Sequence, residues 1–96
     1  ISKYPNIERD IAFVIKEDVL IKDLIKIIKQ TGKSTLINVE LFDVYQGEHI
    51  DEGFKSVAFS LVFNDKNKTL SSEEVDKIVN RITKRLIFEY EAKLRE

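Results

Sequence analysis

The chain has 96 residues and no cysteine, so it suits a single domain with one hydrophobic core and excludes disulfide and thiolate chemistry. No apolar run approaches the roughly 20 residues needed to span a bilayer, so we expect no membrane partner and a cytosolic location. The net charge of −1 lacks the basic signature of an autonomous nucleic-acid binder, which argues against DNA as a partner and against strong RNA binding by this domain alone.

The first predicted strand follows an extended arm. Residues 1–8 contain the only proline, Pro5, which favours an extended backbone at the preceding residue. In such an arm, Lys3 and Arg9 are available to solvent or phosphate. The run DIAFVI from Asp10 to Ile15 is apolar and β-rich, as is typical of a central strand. Its larger side chains, which we expect to face the helices, are Ile11, Phe13 and Ile15.

A helix is predicted from Val19 to Thr31, with Asp18 as its N-cap and Gly32 as its C-cap. The side chains that form its apolar stripe are Leu20, Leu24, Ile27 and Ile28. The remaining face is rich in lysine, which suits either contact with phosphate or simple solvation, and we assign it no ligand.

A β-hairpin with a polar loop is predicted from two strands, Leu36 to Tyr45 and Phe54 to Phe63. The loop between Gly47 and Gly53 is too long for a two-residue turn. The second strand alternates bulky with small side chains, so one of its faces is bulky and the other small. In the first strand, alternation places the polar residues Asn38 and Glu40 on the same face as Phe42, so the assignment of this strand to the two faces stays open.

If the hairpin closes at Tyr45 and Phe54, Asp43 lies directly opposite Ser56 on the same face. A carboxylate beside a hydroxyl at the end of a sheet suits recognition of a hydrogen-bonding ligand. A structural role is the alternative, in which Asp43 caps a turn by accepting hydrogen bonds from backbone N–H groups.

The longest helix is predicted to begin with a capping box, formed by Ser71 and Glu74. The side chains of its apolar stripe are Val75, Ile78, Val79, Ile82, Leu86 and Ile87. Residues 92–95 suit either a continued helix or a short edge strand. The order β, α, β, β, α and a possible final β predicts an α+β, ferredoxin-like (RRM-like) split βαβ sandwich, whose antiparallel sheet carries both helices on one face.

The sequence does not favour catalysis or metal binding by this domain. Its three glycines have neither the GxGxxG nor the GxxxxGK[ST] spacing of a phosphate loop. His49 is the sole histidine and lies in the polar hairpin loop, where no rigid set of convergent partners is predicted.

Four stretches carry a family resemblance that extends over essentially the whole chain, residues 1–96. They are SKYPNIERDIAFVI, ELFDVYQGEHIDEGFKSVAFSLVF, LSSEEVDKIVNRI and the closing EAKLR. Their motifs, YP with RDIA, then FDVY, a glycine-bounded loop and KSxAF, resemble the ferredoxin-fold anticodon-binding domain that closes the β subunit of bacterial phenylalanyl-tRNA synthetase. The resemblance favours a short strand at EAKLR, and with an isoleucine start and no methionine it implies a domain excised from the C-terminus of a longer chain.

The resemblance implies binding of the anticodon stem-loop of the phenylalanine tRNA. Its first anticodon base is guanine, whose Watson–Crick edge offers two donors to a single carboxylate. We therefore expect Asp43 and Ser56 to read that base. The candidates for stacking on bases are Phe42, Tyr45 and Phe54, and the candidates for contact with phosphate are Lys3, Arg9 and Lys55.

The same resemblance implies partners and chemistry outside this domain. The expected protein partners are the rest of the synthetase β subunit and its α subunit. The domain needs no cofactor, whereas the parent ligase would use ATP and Mg. Two other functions stay open: a structural module that docks on the synthetase body, and a small-molecule-sensing domain that dimerises around its ligand.

Overall fold

A computed structural model describes residues 3–95, so residues 1 and 2 of the predicted arm and residue 96 lie outside the described part. The elements in chain order are β1 Ile7–Lys16, α1 Ile21–Gly32, a 3-10 turn Lys33–Thr35, β2 Leu36–Tyr45, β3 Phe54–Phe63, α2 Ser72–Tyr90 and β4 Lys93–Leu94. The strands form one antiparallel sheet in the order β2-β3-β1-β4. This arrangement confirms the ferredoxin-like fold.

The hydrophobic core lies between one side of the sheet and the two helices. On the helices, the buried side chains are Leu24, Ile28, Val75, Ile78, Ile82 and Leu86. On the sheet, β3 contributes Val57, Phe59, Leu61 and Phe63, all fully buried, and β1 contributes Ile11, Phe13 and Ile15. The predicted large face of β1 is therefore confirmed. The opposite side of the sheet carries no helix among the described residues, and we call it the open face.

Strand β2 changes face twice because it contains two β-bulges. The pairing shifts by one residue between Leu36 and Asn38 and again between Leu41 and Asp43. Each shift leaves one extra residue without a partner across the ladder, first Ile37 and then Phe42, and reverses the alternation that follows.

The first bulge of β2 keeps its apolar residues towards the core. Val39 and Leu41 pair with the core residues Leu61 and Phe59 of β3. The polar neighbours Asn38 and Glu40 consequently take the open face, and the same rule places Asp43 there after the second bulge, opposite Ala58. The faces of β2, which the sequence left open, are settled by these two insertions.

Both predicted ends of α1 were wrong. A turn closed by the Val19 N–H, which donates to the Lys16 carbonyl at 3.2 Å, occupies the start, so the helix begins at Ile21 and no side chain caps it. Leu20 is accordingly 54% exposed and does not belong to the buried stripe.

At the other end of α1, Gly32 is the last helical residue, with a φ of −74°. Lys33 takes the positive φ of 58° that terminates the helix. Glycine is needed at position 32 for a different reason, since a Cβ there would lie 2.4 Å from Leu36 Cδ2 and 2.6 Å from Leu36 Cβ.

The predicted capping box of α2 is confirmed. The Glu74 N–H donates to Ser71 Oγ at 3.1 Å, and Glu74 Oε1 accepts from the Ser71 N–H. The Lys68 ammonium donates to Glu74 Oε2 at 2.8 Å, which lowers the pKa of the Glu74 carboxyl and raises the pKa of Lys68. The start of α2 is thus anchored, while Ile87 near its end is 45% exposed and lies outside the buried set.

The chain returns to the sheet after α2. Glu91 adopts a left-handed conformation with a φ of 54°, and Lys93–Leu94 then pair with Val14 and Phe13 of β1. The resemblance-based expectation of a final strand is therefore confirmed. Within residues 3–95, neither helix is both long enough and apolar enough to cross a membrane.

Candidate RNA interface

The open face has a floor of small side chains near the hairpin loop. Pairing places Asp43 of β2, Ala58 of β3 and Ala12 of β1 in one row across the sheet. The Arg95 N–H donates to the Ala12 carbonyl at 3.1 Å and extends this row beyond β4. The two alanines lie between Asp43 on β2 and the backbone of Arg95 beyond β1, and we call Ala12 and Ala58 the alanine floor.

The predicted pairing of Asp43 with Ser56 was wrong, because Asp43 lies opposite Ala58 and Tyr45 lies opposite Ser56. The prediction assumed a turn that closes at Tyr45 and Phe54, whereas the two bulges shift the register at this end of β2 by two residues. A shift of two preserves the face, so Asp43 and Ser56 still share the open face as diagonal neighbours.

Asp43 is exposed, and its carboxylate makes no hydrogen bond or ion pair with any residue in the described range. The alternative that it caps a turn is therefore not supported by the geometry. A solvent-facing carboxylate beside a floor of methyl groups has both oxygens available as acceptors for a ligand that lies flat on the floor.

Ser56 is 2% exposed, although it lies on the open face, because the C-terminal segment covers it. Arg95 Nη1 donates to Ser56 Oγ at 3.0 Å. The hydroxyl thus holds the guanidinium, which the sequence interpretation missed. The signal was weak, because it consisted of the final arginine of EAKLR and depended on where β4 would pair.

Tyr45 is fixed at both ends. Its hydroxyl donates to the Glu48 carbonyl at 3.1 Å, and the Arg95 guanidinium lies over its ring, 5.5 Å from the centroid. Gly47 passes close to this hydroxyl with a φ of 144°, and a Cβ at that position would lie 3.0 Å from the Tyr45 oxygen. The tyrosine therefore anchors the hairpin loop to the sheet and supports Arg95 from below.

The other two stacking candidates occupy different places. Phe42 is the extra residue of the second bulge and is 56% exposed, next to Asp43 in the chain. Phe54 begins β3 opposite Lys16, and its carbonyl accepts from Gln46 Nε2 at 3.4 Å. Of these two, Phe42 offers the larger exposed apolar surface beside the carboxylate.

The three phosphate candidates do not converge on the alanine floor. Arg9 pairs across from the core residue Leu61 and forms an ion pair with Asp76 of α2, with 3.3 Å between Nε and Oδ1. Lys55 Nζ donates to the Val19 carbonyl at 2.7 Å before α1. Lys3 lies in the arm, with Nζ 5.5 Å from the centroid of the Tyr4 ring. Their contact with phosphate stays a prediction.

The open face becomes acidic away from the hairpin loop. The carboxylates of this region, all exposed and on strand positions facing outward, belong to Glu8, Asp10 and Glu40. We call these three residues the acidic band. The acidic band repels a polyanion, so direct contact of a polyanion with the surface of the open face is favoured only at its hairpin end.

At the hairpin end of the open face, the Asp43 carboxylate can accept hydrogen bonds beside the alanine floor. The Arg95 guanidinium lies in the next row towards the hairpin loop, at Ser56 and Tyr45, where it can donate. Within residues 3–95, no group of three or more His, Cys, Asp or Glu side chains converges as metal ligands.

Comparisons with known proteins agree with the motif resemblance. A family model described as the ferredoxin-fold anticodon binding domain matches residues 2–95. The chain is also similar to the phenylalanine–tRNA ligase beta subunits of Colwellia psychrerythraea (43% identical over 96 residues), Bacillus licheniformis (45% over 95 residues) and Bacillus subtilis (46% over 95 residues). These alignments cover 99% to 100% of this chain and 12% of each relative, so the chain spans about one eighth of the curated relatives' length.

Proposed function

Since the chain belongs to the ferredoxin-fold anticodon binding domain family, we propose that it binds the anticodon loop of the phenylalanine tRNA as part of a phenylalanine–tRNA ligase β subunit. Support comes from the relatives that carry this name and align over 99% to 100% of the chain. In this proposal the rest of the β subunit and the α subunit perform aminoacylation with ATP and Mg. The domain itself contributes recognition and no chemistry.

One observation carries the proposal: the exposed, unpaired carboxylate of Asp43 borders the alanine floor, and the anchored guanidinium of Arg95 lies beside the floor on its hairpin side. A guanine laid on the floor presents two donors from its Watson–Crick edge to the Asp43 oxygens. An adenine in the same position presents a ring acceptor to the carboxylate, which is repulsive. The carboxylate therefore selects guanine by favouring one donor pattern and opposing the other.

Arg95 completes this site as a donor of fixed orientation. Its Nη1 donates to Ser56 and its Cζ lies 5.5 Å from the centroid of the Tyr45 ring, so the guanidinium is already ordered and its remaining N–H groups are available to a ligand. Donors on this side suit the carbonyl oxygen of guanine or a flanking phosphate. Phe42, 56% exposed beside Asp43, supplies a stacking surface worth about 1–3 kcal/mol per base.

The test compares aminoacylation by the full-length protein carrying Asp43→Asn, with tRNAs bearing guanine or another base at the first anticodon position. Asparagine keeps the size but replaces one acceptor oxygen with a donor. We expect the guanine preference to fall by about ten-fold or more, since a good bidentate contact contributes about 1–3 kcal/mol to discrimination. Phenylalanine activation in the absence of tRNA should stay unchanged.

Glu40→Gln is the matched control, because Glu40 is an exposed carboxylate on the same strand and face but outside the alanine floor. This variant should retain the guanine preference of the wild type. An Asp43→Asn enzyme with undiminished preference would refute base reading by this residue and favour a module that docks on the synthetase body.

A further inference from the structure

A second polar site lies at the end of the sheet opposite the hairpin loop. It is a cleft of about 990 Å³ between the arm before β1, the turn between α1 and β2, and the turn between β3 and α2. The lining residues that matter below are Lys3, Tyr4, Asn6, Ser34, Lys66 and Asn67. None of the residues of the alanine floor contributes to this cleft.

The walls of the cleft are held together by Asn64, which is 6% exposed. Its Nδ2 donates to the Tyr4 carbonyl at 2.9 Å and fixes the arm, while its N–H donates to the Thr35 carbonyl at 2.9 Å. Asp65 Oδ1 accepts from the Asn67 N–H at 2.8 Å and shapes the third wall. The cleft is therefore a preformed feature of the fold.

The cleft offers an excess of donors. The side chains of Asn6, Ser34, Lys66 and Asn67 make no hydrogen bond with any residue from 3 to 95. Lys3 adds a second ammonium group, so the lining has two positive charges and one negative charge, that of Asp65. Amide, hydroxyl and ammonium donors around an apolar wall are suited to phosphate oxygens and ribose hydroxyls, which are strong acceptors.

We propose that this cleft binds the phosphodiester backbone of RNA, as a contact separate from the one that reads the anticodon base. The proposal rests on the proposed function. Asp43 is six positions along β2 from Ile37 at the cleft, which at about 3.3 Å per residue is roughly 20 Å. The acidic band lies on the open face between the two sites, so the RNA bridges over it.

At this separation, the phosphate in the cleft and the base on the alanine floor belong to different nucleotides of the same RNA. Phosphate contacts position such a ligand without reading its sequence, so loss of the cleft should weaken binding to every tRNA equally.

The experiment measures the affinity of the full-length protein for whole tRNA at several salt concentrations, with Lys3→Gln/Lys66→Gln as the variant. Each lost phosphate contact reduces the magnitude of the slope of log K against log salt by about 0.7–0.9, so we expect a fall of roughly 1.4–1.8. The guanine preference should stay as in the wild type.

Lys77→Gln/Lys84→Gln is the matched control, because it removes the same charge from two exposed lysines of α2 that lie outside the cleft. Equal slopes for the cleft variant and this control would overturn the proposal. A second outcome would also overturn it: the wild type binds inorganic phosphate or adenosine monophosphate saturably, the cleft variant does not, and the slope for tRNA is the same in both. The ligand of the cleft would then be a free phosphate compound. If Asp43 does not read guanine, the Asp43→Asn variant keeps the guanine preference while the cleft variant still has the reduced slope, so the two proposals can fail separately.

Discussion

Strands β2 and β3 are ten residues long and paired with each other, yet they position side chains by different means. β3 lies inside the sheet and alternates without interruption, with four core residues that are fully buried. β2 lies at the edge and changes face twice through its bulges. In β3, packing against the helices sets which face each side chain takes. In β2, the positions of the two bulges set it, and the exposed carboxylate of the candidate site lies on this edge strand.

The largest effect that tests this contrast is expected for Phe59→Ala in β3. Phe59 is fully buried, and its ring lies 6.0 Å from that of Phe13. Its truncation should lower the free energy of unfolding by about 3–5 kcal/mol, as measured by urea denaturation of the chain. Phe42→Ala in β2 removes an equal volume from a side chain that is 56% exposed and should cost less than about 1 kcal/mol. Similar losses for both variants would break the contrast.

A smaller effect is expected when Phe42 is deleted altogether. Phe42 is the extra residue of the second bulge, so its removal joins Leu41 to Asp43 in regular alternation and leaves the face of every other β2 residue unchanged. We expect a loss of roughly 1–2 kcal/mol in urea denaturation and a folded chain.

Deletion of Ser60 from β3 provides the comparison for the Phe42 deletion. It would turn half of an uninterrupted strand to the wrong face, so we expect the chain to unfold. If the chain without Phe42 also unfolds, the sheet needs the second bulge, and our interpretation of Phe42 as a dispensable insertion is wrong.

The smallest effect is expected for Ser56→Ala, which removes the acceptor of Arg95 Nη1. The freed guanidinium can bind water, so the loss should be about 1 kcal/mol in the free energy of unfolding. Ser60→Ala, four residues along β3 on the same face, breaks no side-chain hydrogen bond within residues 3–95 and should stay within about 0.5 kcal/mol of the wild type. Equal effects would mean that the C-terminal segment does not depend on Ser56.

Much of the fold could be predicted because its signals are local. The capping box of Ser71 and Glu74, the alternation of β3 and the bounds of β2 each follow from neighbouring residues. The start of α1 failed because a turn at Lys16 to Val19 replaced the cap expected at Asp18.

The details of the candidate site depend on contacts that no local pattern encodes. Neither bulge of β2 contains a glycine, so nothing in the sequence marks Ile37 or Phe42 as extra residues. The contact between Arg95 and Ser56 joins residues 39 positions apart through a final strand of two residues. Asp43 could be chosen from its motif, but its neighbour across the sheet could not.

The two bulges of β2 have a further consequence for how copies of this chain behave together. An edge strand exposes unpaired backbone groups that can recruit a strand from another molecule and begin aggregation. The insertions at Ile37 and Phe42 interrupt the flat ladder that such recruitment needs, and the charges of Glu40 and Asp43 repel an identical edge. The irregularity that sets the face of Asp43 therefore also protects the chain from sheet-to-sheet aggregation at high concentration.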